Sequence, residues 1–404
     1  MRTRYGVSPW IDNVPTGRRP DLPRLRGEHT ARVLIIGGGL TGCATAYACA
    51  VAGMRPVLVE AARVGQGSAG RSAGLLLPEP GPAFRDIVSA HGVRTARRIF
   101  ESWRRASLDA AALLKRLRIR CDLAPRDSLT IAAGGDEKAL RRELEARQAA
   151  DLDAVWLTAR QARTATGLDS SAMRLHDSFA IDPYKACLGL AAAARKRGAQ
   201  LFERTAVRKV KWGRTTLEVA LEGSTVSADL VIVTTGTATA EYKPLLRHFK
   251  GRATYLVRTE AVPAAMRAQL MRRETTLRDL GSPRHRVAWT RDDHLLIAGA
   301  DGDTPAASQR DAVLVQRTGQ LMYELLTLYP AISGLRPEYG WDLPHGETAD
   351  GVMYIGPHRN YPRHLFALGG GGDSITGAFL AARVLARAAA GEPDKADAAF
   401  GWTR

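Results

Sequence analysis

The sequence predicts an α/β protein in which a Rossmann-type nucleotide-binding domain carries an inserted domain built on an antiparallel sheet. Residues 33–60 place a glycine turn and a helical segment between two apolar runs, as a βαβ unit does. Residues 241–336 contain short alternating runs such as ATYLVRTEAV, which are typical of antiparallel strands. A chain of 404 residues with 45% hydrophobic content is long enough for two domains.

The first apolar run, Val33 to Ile36, predicts a strand buried on both faces of a parallel sheet. Gly37, Gly39 and Gly42 follow it in the spacing G-x-G-x-x-G. The first glycine permits a tight turn, the second lets a pyrophosphate approach the backbone, and the third lets the helix pack on the strand. The helix begins at Leu40 and Thr41, so its unpaired N–H groups would face the phosphates.

An acidic residue ends the second strand of this unit. Glu60 follows the run Pro56 to Val59 and lies eighteen positions after Gly42. An acid at this place accepts hydrogen bonds from a ribose diol and disfavours a 2′-phosphate. The whole unit, from the first strand to the acid that ends the second, therefore predicts a dinucleotide site.

The segment that follows, AARVGQGSAGRSAGLLL, resembles the D-amino-acid-oxidase family of flavoenzymes. That family carries a G-A-S-G-R-N-x-G-like loop here, which passes under the flavin after the adenosine is bound. The resemblance implies that the cofactor is FAD and that this segment contributes Ala61, Arg63, Gly67, Ser68, Arg71, Ser72, Ala73 and Gly74 to its site.

Three later segments extend the resemblance over most of the chain. Asp182 and Pro183 open an alanine-rich helix, and the strand after it would bring the backbone of Val207 to the adenine. ADLVIVTTG ends in a turn that places Thr235 and Gly236 near the cofactor. GGGGDSITG would present backbone N–H groups to the flavin ring from a glycine turn and a helix N-terminus. This last segment supplies Gly370, Gly371, Gly372, Asp373, Ser374, Ile375 and Thr376.

The same pattern predicts a discontinuous two-domain layout. Residues 1–84, 180–240 and 337–404 would form the FAD-binding domain. Residues 85–179 and 241–336 would form the substrate or cap domain, whose antiparallel sheet roofs the flavin in this family. No cysteine occupies the C-terminal segment where sarcosine oxidases attach their flavin, so we expect non-covalent FAD and no metal.

The resemblance implies oxidation of a C–N bond by hydride transfer to flavin N5, after which water hydrolyses the imine. The match is nearest the branch that holds glycine and sarcosine oxidases and γ-glutamylputrescine oxidoreductase. In glycine-oxidase-like members an Arg clamps the substrate carboxylate, but Leu343 and Pro344 occupy that place here. A primary or secondary amine is therefore the preferred substrate, with O2 or another electron acceptor. An amino-acid oxidase or dehydrogenase, a tRNA-modifying flavoenzyme and a non-catalytic flavin-binding subunit remain alternatives.

Five residues flank the inserted strands or the turn before the last glycine segment. They are predicted to line a substrate pocket, without an assigned catalytic role: Tyr255, Arg258, Trp289, Trp341 and His345.

The formal charge of +17 raises nucleic acid or an anionic membrane as a partner. The arginines are dispersed along the chain without interleaved aromatic residues, which argues against nucleic acid. The excess charge can instead favour an acidic substrate or partner. No apolar run has transmembrane length, and the four cysteines show no C-x-x-C pairing, so the sequence predicts a cytoplasmic enzyme and leaves its oligomeric state open.

Overall fold

The computed structural model describes residues 2–132, 136–213, 215–280, 284–372 and 375–404. The strands in these ranges are β1 (Arg4–Tyr5), β2 (Gly27–Ile36), β3 (Val57–Val59), β4 (Leu75–Leu76), β5 (Ala124–Ile131), β6 (Val155–Leu157), β7 (Ala172–Ala180), β8 (Gln200–Phe202), β9 (Val207–Trp212), β10 (Leu217–Leu221), β11 (Ser224–Gly236), β12 (Lys250–Ala261), β13 (Thr275–Asp279), β14 (Arg286–Trp289), β15 (His294–Asp303), β16 (Pro337–Glu347), β17 (Tyr354–His358) and β18 (Tyr361–Leu368). The α-helices are α1 (Pro9–Asp12), α2 (Leu40–Val51), α3 (Phe84–Arg116), α4 (Glu137–Gln148), α5 (Ala159–Thr166), α6 (Pro183–Lys196), α7 (Ala264–Arg267), α8 (Arg310–Leu328) and α9 (Ile375–Ala390).

The first sheet is of the Rossmann type: its central strands pair in parallel, with β2 among them, and β17, β9 and β10 add antiparallel pairings. Its order is β17-β18-β11-β2-β3-β8, and β9 and β10 extend it from β11. β2 pairs in parallel with both β11 and β3, which explains why Val33 to Ile36 are buried on both faces. Helices α2, α6 and α9 pack together on one face of this sheet. The predicted α/β fold class is confirmed.

The second sheet is mainly antiparallel and runs in the order β1-β16-β12-β15-β14-β13-β5-β7-β4, with β6 paired to β7. One face packs against α8 through a core that includes Val257 and Leu321. The opposite face packs through Leu256 and Leu343 on Leu75 and Leu77, which follow the predicted flavin loop. The predicted antiparallel sheet is therefore present and lies over the nucleotide-binding unit.

The strand assignments differ from the predicted domain boundaries in three places. Pro337–Glu347 pairs antiparallel with β12, although residues 337–404 were predicted to belong to the FAD-binding domain. β1 and β4, which lie inside the predicted 1–84 segment, also belong to the second sheet. The reason is that each of these strands pairs with a strand that is distant in sequence, and no local pattern reveals such a pairing. The division into two domains stays a proposal, with these strands moved to the sheet that contains β12.

The four cysteines are buried and none forms a disulfide. Burial raises the pKa of the Cys49 thiol to about 12 and that of Cys121 to about 11, so both thiols are protonated at neutral pH. Among the residues that the structure describes, no helix is both long and apolar enough to cross a membrane.

Candidate flavin site and substrate cavity

The first glycine turn has the geometry that a dinucleotide site requires. Gly37 has a φ of +109°, and a Cβ there would lie 2.8 Å from the carbonyl oxygen of Thr234. A Cβ on Gly42 would lie 1.8 Å from the carbonyl oxygen of Gly37. A Cβ on Gly39 would meet nothing within 4 Å. Protein atoms thus occupy the space beside Gly37 and Gly42. Gly39, which caps α2, faces open space that a pyrophosphate can enter.

Glu60 is fixed at the end of β3 by its own surroundings. One carboxylate oxygen accepts a hydrogen bond from Gly38 N at 2.7 Å and the other from Ala62 N at 2.8 Å. Each oxygen keeps one acceptor position, so the carboxylate can still receive ribose hydroxyls. The exposed Ala61 and the half-buried Arg63 flank it, and Thr205 N donates to the carbonyl of Glu60 at 2.9 Å. Val207 begins β9 two residues beyond that contact.

The loop from Gly65 to Gly74 is held from two sides by parts of the chain distant in sequence. The indole N–H of Trp10 donates to Ser72 O at 2.9 Å, and that of Trp341 donates to Arg71 O at 2.7 Å. Ser8 Oγ also donates to Gly70 O. Ala73 and Gly74 are buried, while Gly67 and Ser68 are exposed. Hydrogen bonds from distant parts of the chain therefore hold the backbone of the proposed flavin loop.

The end of β11 meets the second glycine turn. Thr234 Oγ1 donates to Ile36 O at 2.9 Å, and Gly369 N donates to Gly236 O at 2.8 Å. Thr235 closes the turn by donating to Thr237 O at 2.7 Å. Gly370, Gly371 and Gly372 follow, and a Cβ on Gly371, whose φ is +66°, would meet nothing within 4 Å.

α9 begins just beyond this turn, at Ile375. Thr376 Oγ1 donates to Leu77 O at 2.8 Å, so the start of α9 is tied to the segment after the flavin loop. The predictions for Asp373 and Ser374 lie outside the described residues. Both glycine turns combine positive φ with open space, and these residues fit a flavin dinucleotide.

A cavity of about 1120 Å³ lies beside the second glycine turn. Gly369 to Gly372 form part of its wall, and Thr254 from β12 and His345 from β16 face them. A Cβ on Gly372 would lie 2.5 Å from Thr254 Oγ1 and 3.6 Å from His345 Cε1, which shows how closely the turn approaches the second sheet. The wider lining includes Trp103, Phe249, Arg252, Arg286, Asp301 and Glu347.

Only His345 of the five predicted pocket residues lines this cavity. Trp341 lies on the same sheet face but uses its indole to hold Arg71. Arg258 is buried and binds Glu338 at 2.6 Å, with Asp292 at 3.4 Å. It is therefore part of a structural ion-pair network away from the cavity wall.

Tyr255 and Trp289 belong to the core on the opposite sheet face, against α8. The indole N–H of Trp289 donates to Met271 O at 2.9 Å, and Arg317 lies over the ring of Tyr255. The structure thus does not bring these two side chains to the cavity. The residues that sequence analysis missed are Thr254, Asp301 and Arg286. Thr254 is one position from Tyr255, so the alternation of β12 would have pointed to it once the correct face was known.

The two glycine turns, the fixed acid and the adjoining cavity define a dinucleotide-binding protein of the Rossmann class. A family model described as FAD dependent oxidoreductase (DAO) matches residues 32–388. The chain therefore belongs to the FAD-dependent oxidoreductase family, DAO. It is an FAD-dependent enzyme, as the sequence predicts.

Relatives in this family agree with the predicted branch. γ-Glutamylputrescine oxidoreductase of Escherichia coli (strain K12) is 24% identical over 93% of this chain and 87% of its own length. Glycine oxidase of Bacillus subtilis (strain 168) is 25% identical over 83% of this chain and 86% of its own. The crystal structure of glycine oxidase from Geobacillus kaustophilus has the same fold, with a TM-score of 0.78 and 20% identity over 93% of this chain and 99% of that one.

Proposed function

We propose that the protein oxidises the C–N bond of a primary or secondary amine to an imine, which water then hydrolyses. The observation that supports this most directly is the cavity between the second glycine turn and the strand pair β12 and β16. When bound, FAD supplies the two-electron acceptor for the α-hydrogen of the amine. The described chain supplies a site that orients the amine and controls its proton.

Asp301 is the group that suits an amine. Its Oδ1 is buried without a hydrogen-bond partner among the described residues, and the side chain lines the cavity. A buried carboxylate oxygen without a partner is costly, and an ammonium or amine N–H would satisfy it. Asp301 would thus bind an amino group of the substrate.

His345 is placed to receive a proton. Its Nδ1 lies 3.1 Å from Leu343 O, and a carbonyl can only accept, so Nδ1 carries the hydrogen in the neutral ring. Nε2 is then left as an acceptor. In this assignment His345 takes the proton from the substrate ammonium and leaves the neutral amine, which is the form that can lose a hydride.

The outer part of the cavity suits an anionic group remote from the reacting nitrogen. Arg247 lines the cavity, is exposed, and has no carboxylate partner in the described ranges. Lys250 and Arg252, by contrast, share Asp303 at 3.1 and 2.7 Å. The name of the Escherichia coli relative describes a substrate with separated glutamyl and amine groups, which agrees with this arrangement.

The test is anaerobic mixing of the purified holoenzyme with amines, polyamine derivatives and amino acids while flavin absorbance is followed. Bleaching by an amine, with recovery and peroxide release in air, supports an amine oxidase. Recovery only with an added dye indicates a dehydrogenase, and no bleaching by any amine contradicts the proposal.

Asp301→Asn is the informative variant for this test. The substitution removes the negative charge, so we expect reduction of the flavin by the amine to slow by about tenfold or more, equivalent to ~1.4 kcal/mol. Asp229→Asn, an exposed site outside the cavity, is the matched control and should react as the wild type does. Equal rates in all three proteins would exclude Asp301 from amine binding.

An α-amino acid is the second candidate substrate, because Arg286 from β14 lies in the cavity wall. A guanidinium there can bind a carboxylate in two-point fashion. If amino acids are the substrates, Arg286→Gln should slow the reduction of the flavin by glycine much more than its reduction by an amine without a carboxylate. If amines are the substrates, glycine should give no bleaching with the wild type.

A further inference from the structure

A second cavity, of about 550 Å³, lies along α6, and none of its lining residues belongs to either glycine turn. Positions 185, 188, 189, 192, 193, 196 and 197 line it, which is one helical stripe along α6. At 1.5 Å per residue this stripe is about 18 Å long. Residues 13–15 and 18, Tyr47 and residues 117–120 complete the lining. The cavity is therefore an elongated groove, which we call the α6 groove.

The rim of the α6 groove carries five exposed cations, and no Asp or Glu is among the described residues that line it. These five cations are Arg18, Arg118, Arg120, Lys196 and Arg197. In the described part of the chain, none of their side chains forms a hydrogen bond or an ion pair. Lys185 is different, because Asp122 and Asp182 hold it at 2.9 and 3.0 Å. Many other surface arginines of this chain are paired, as Arg97 is with Glu101 and Asp151.

The floor of the groove is apolar. Leu188, Ala192 and Ala193 form it on α6, and Ile119 packs against Gly189 from the other side. Helix C-termini favour basic residues, which accounts for Lys196 and Arg197 at the end of α6. It does not account for Arg18 or Arg120, which lie outside the α-helices and face the same groove.

We propose that the α6 groove binds an acidic amphipathic segment of a partner protein. Apolar side chains of the segment would cover the floor, and its carboxylates would pair with the five rim cations. The elongated shape matches about twelve residues of helix. This interaction gives a location and a role to part of the +17 charge and does not rest on the proposed amine chemistry.

Other anionic ligands fit the groove less well. A compact anion covers about one helix turn, which is 5.4 Å long, and would leave most of the 18 Å stripe uncovered. A membrane surface is too flat to reach the floor of a concave groove. RNA recognition commonly uses exposed aromatic rings for stacking, and the aromatic residue of the lining, Tyr47, is buried.

The test uses fluorescence anisotropy of the FAD-loaded protein with a labelled helical peptide of about fourteen residues, with Leu on one face and Glu on the other. A second peptide carries Gln in place of every Glu. Arg18→Glu/Arg120→Glu is the groove variant, and Arg26→Glu/Arg32→Glu is the control, because both control sites are exposed and outside the groove. The two double variants change the net charge equally.

We expect the Glu peptide to bind the wild type and the control with dissociation constants within about twofold of each other, and the groove variant at least tenfold more weakly, about 1.4 kcal/mol. The Gln peptide should bind at least tenfold more weakly than the Glu peptide. Equal weakening in both double variants, or no binding to the wild type, would overturn the proposal. It would also be overturned if tRNA or phosphatidylglycerol vesicles, but not the peptide, lost binding in the groove variant. Amine oxidation should be unchanged in both variants.

Discussion

Gly42 illustrates how a single hydrogen side chain determines whether the nucleotide turn can form. A methyl group there would lie 1.8 Å from the carbonyl oxygen of Gly37, and backbone cannot move aside cheaply. Gly39, three positions earlier, has open space at the same place. The two glycines therefore serve different purposes, one in packing and the other in access.

We expect Gly42→Ala to destabilise the protein by about 1–3 kcal/mol or more, because the helix must move away from the strand. Gly39→Ala should change the stability of the flavin-free protein by less than about 0.5 kcal/mol but lower its flavin affinity, because the methyl group occupies the phosphate approach. Urea unfolding of the flavin-free proteins and flavin titration measure the two effects. Equal stability losses in both variants would contradict this division.

The pocket residues show which site residues could not be predicted from local sequence. Alternation along β12 correctly separates Tyr255 from Thr254, because successive side chains point to opposite faces. Which face meets the flavin depends on which side the nucleotide-binding unit covers, and that is a long-range property. Arg258 was also chosen on its position, but its partners Glu338 and Asp292 come from distant strands or turns. The glycine positions were predictable because their constraint is local.

His285 gives a prediction about pH. The hydrogen bond with Asp279 raises the pKa of His285 above its ordinary value, and Glu324 adds to this against the effect of burial. A raised folded-state pKa stabilises the protein fully below the unfolded pKa of about 6.5, and this stability is lost as pH rises through the folded-state pKa. His285→Gln should therefore lower Tm more at pH 6 than at pH 8.5. His176→Gln, at an exposed pair with Asp127, is the control and should show a smaller pH-dependent difference.

At the scale of elements, a buried ion network joins α4 to α3 and to β13 of the second sheet. Arg147 binds Glu143 at 2.7 Å on its own helix and also binds Glu79, which in turn binds Arg278 of β13. Glu143 accepts from Phe84 N at 2.7 Å, at the start of α3. Burial lowers the pKa of Arg147, with Glu143 opposing that shift. The network connects α3, α4 and β13 through groups that are almost fully buried.

Arg147→Met should destabilise the protein by about 3–5 kcal/mol, because it leaves the buried carboxylate of Glu143 without a counter-ion and leaves Glu79 with Arg278 alone. Arg141→Met removes an exposed pair with Glu137 on the same helix and should cost less than about 1 kcal/mol. Chemical unfolding of both variants measures the difference. Similar losses would show that the buried network contributes no more than an exposed pair.

Helix boundaries were among the elements that sequence could predict. Asp182, which the sequence predicts to open a helix, caps α6 by accepting the backbone N–H of Lys185 at 2.9 Å. The pairing of β16 with β12 was not predictable in the same way, because its partner strand ends 76 positions earlier, at Ala261. Local side chains specify a cap, whereas strand partners depend on how the whole chain closes.

Across the whole molecule, β16 and an N-terminal arm, which contains β1 and α1, hold the same flavin loop. Trp10 binds Ser72 O, Trp341 binds Arg71 O, and β1 pairs with β16 beside them. No local sequence pattern specifies the partners of this arm. Its hydrogen bonds now connect it to the cofactor loop.

Trp10→Phe keeps most of the apolar surface and removes the donor to Ser72 O. We expect flavin affinity to fall by about three- to tenfold, because one loop carbonyl loses a hydrogen bond worth about 1 kcal/mol. Trp212→Phe, an exposed indole on β9, serves as the control. Flavin release on dilution is the measurement, and unchanged release from Trp10→Phe would show that the arm does not hold the loop.

The pairing of Arg4 with Tyr339 joins positions 335 apart in the sequence. Since synthesis runs from the N-terminus to the C-terminus, the arm cannot find β16 until most of this chain has left the ribosome. Closing so long a loop is slow, because its conformational entropy must be lost before the contact forms. Trp10 can reach Ser72 early, because these residues lie only 62 positions apart, whereas the β1–β16 pairing and the hydrogen bond from Trp341 to Arg71 O are completed late during biogenesis.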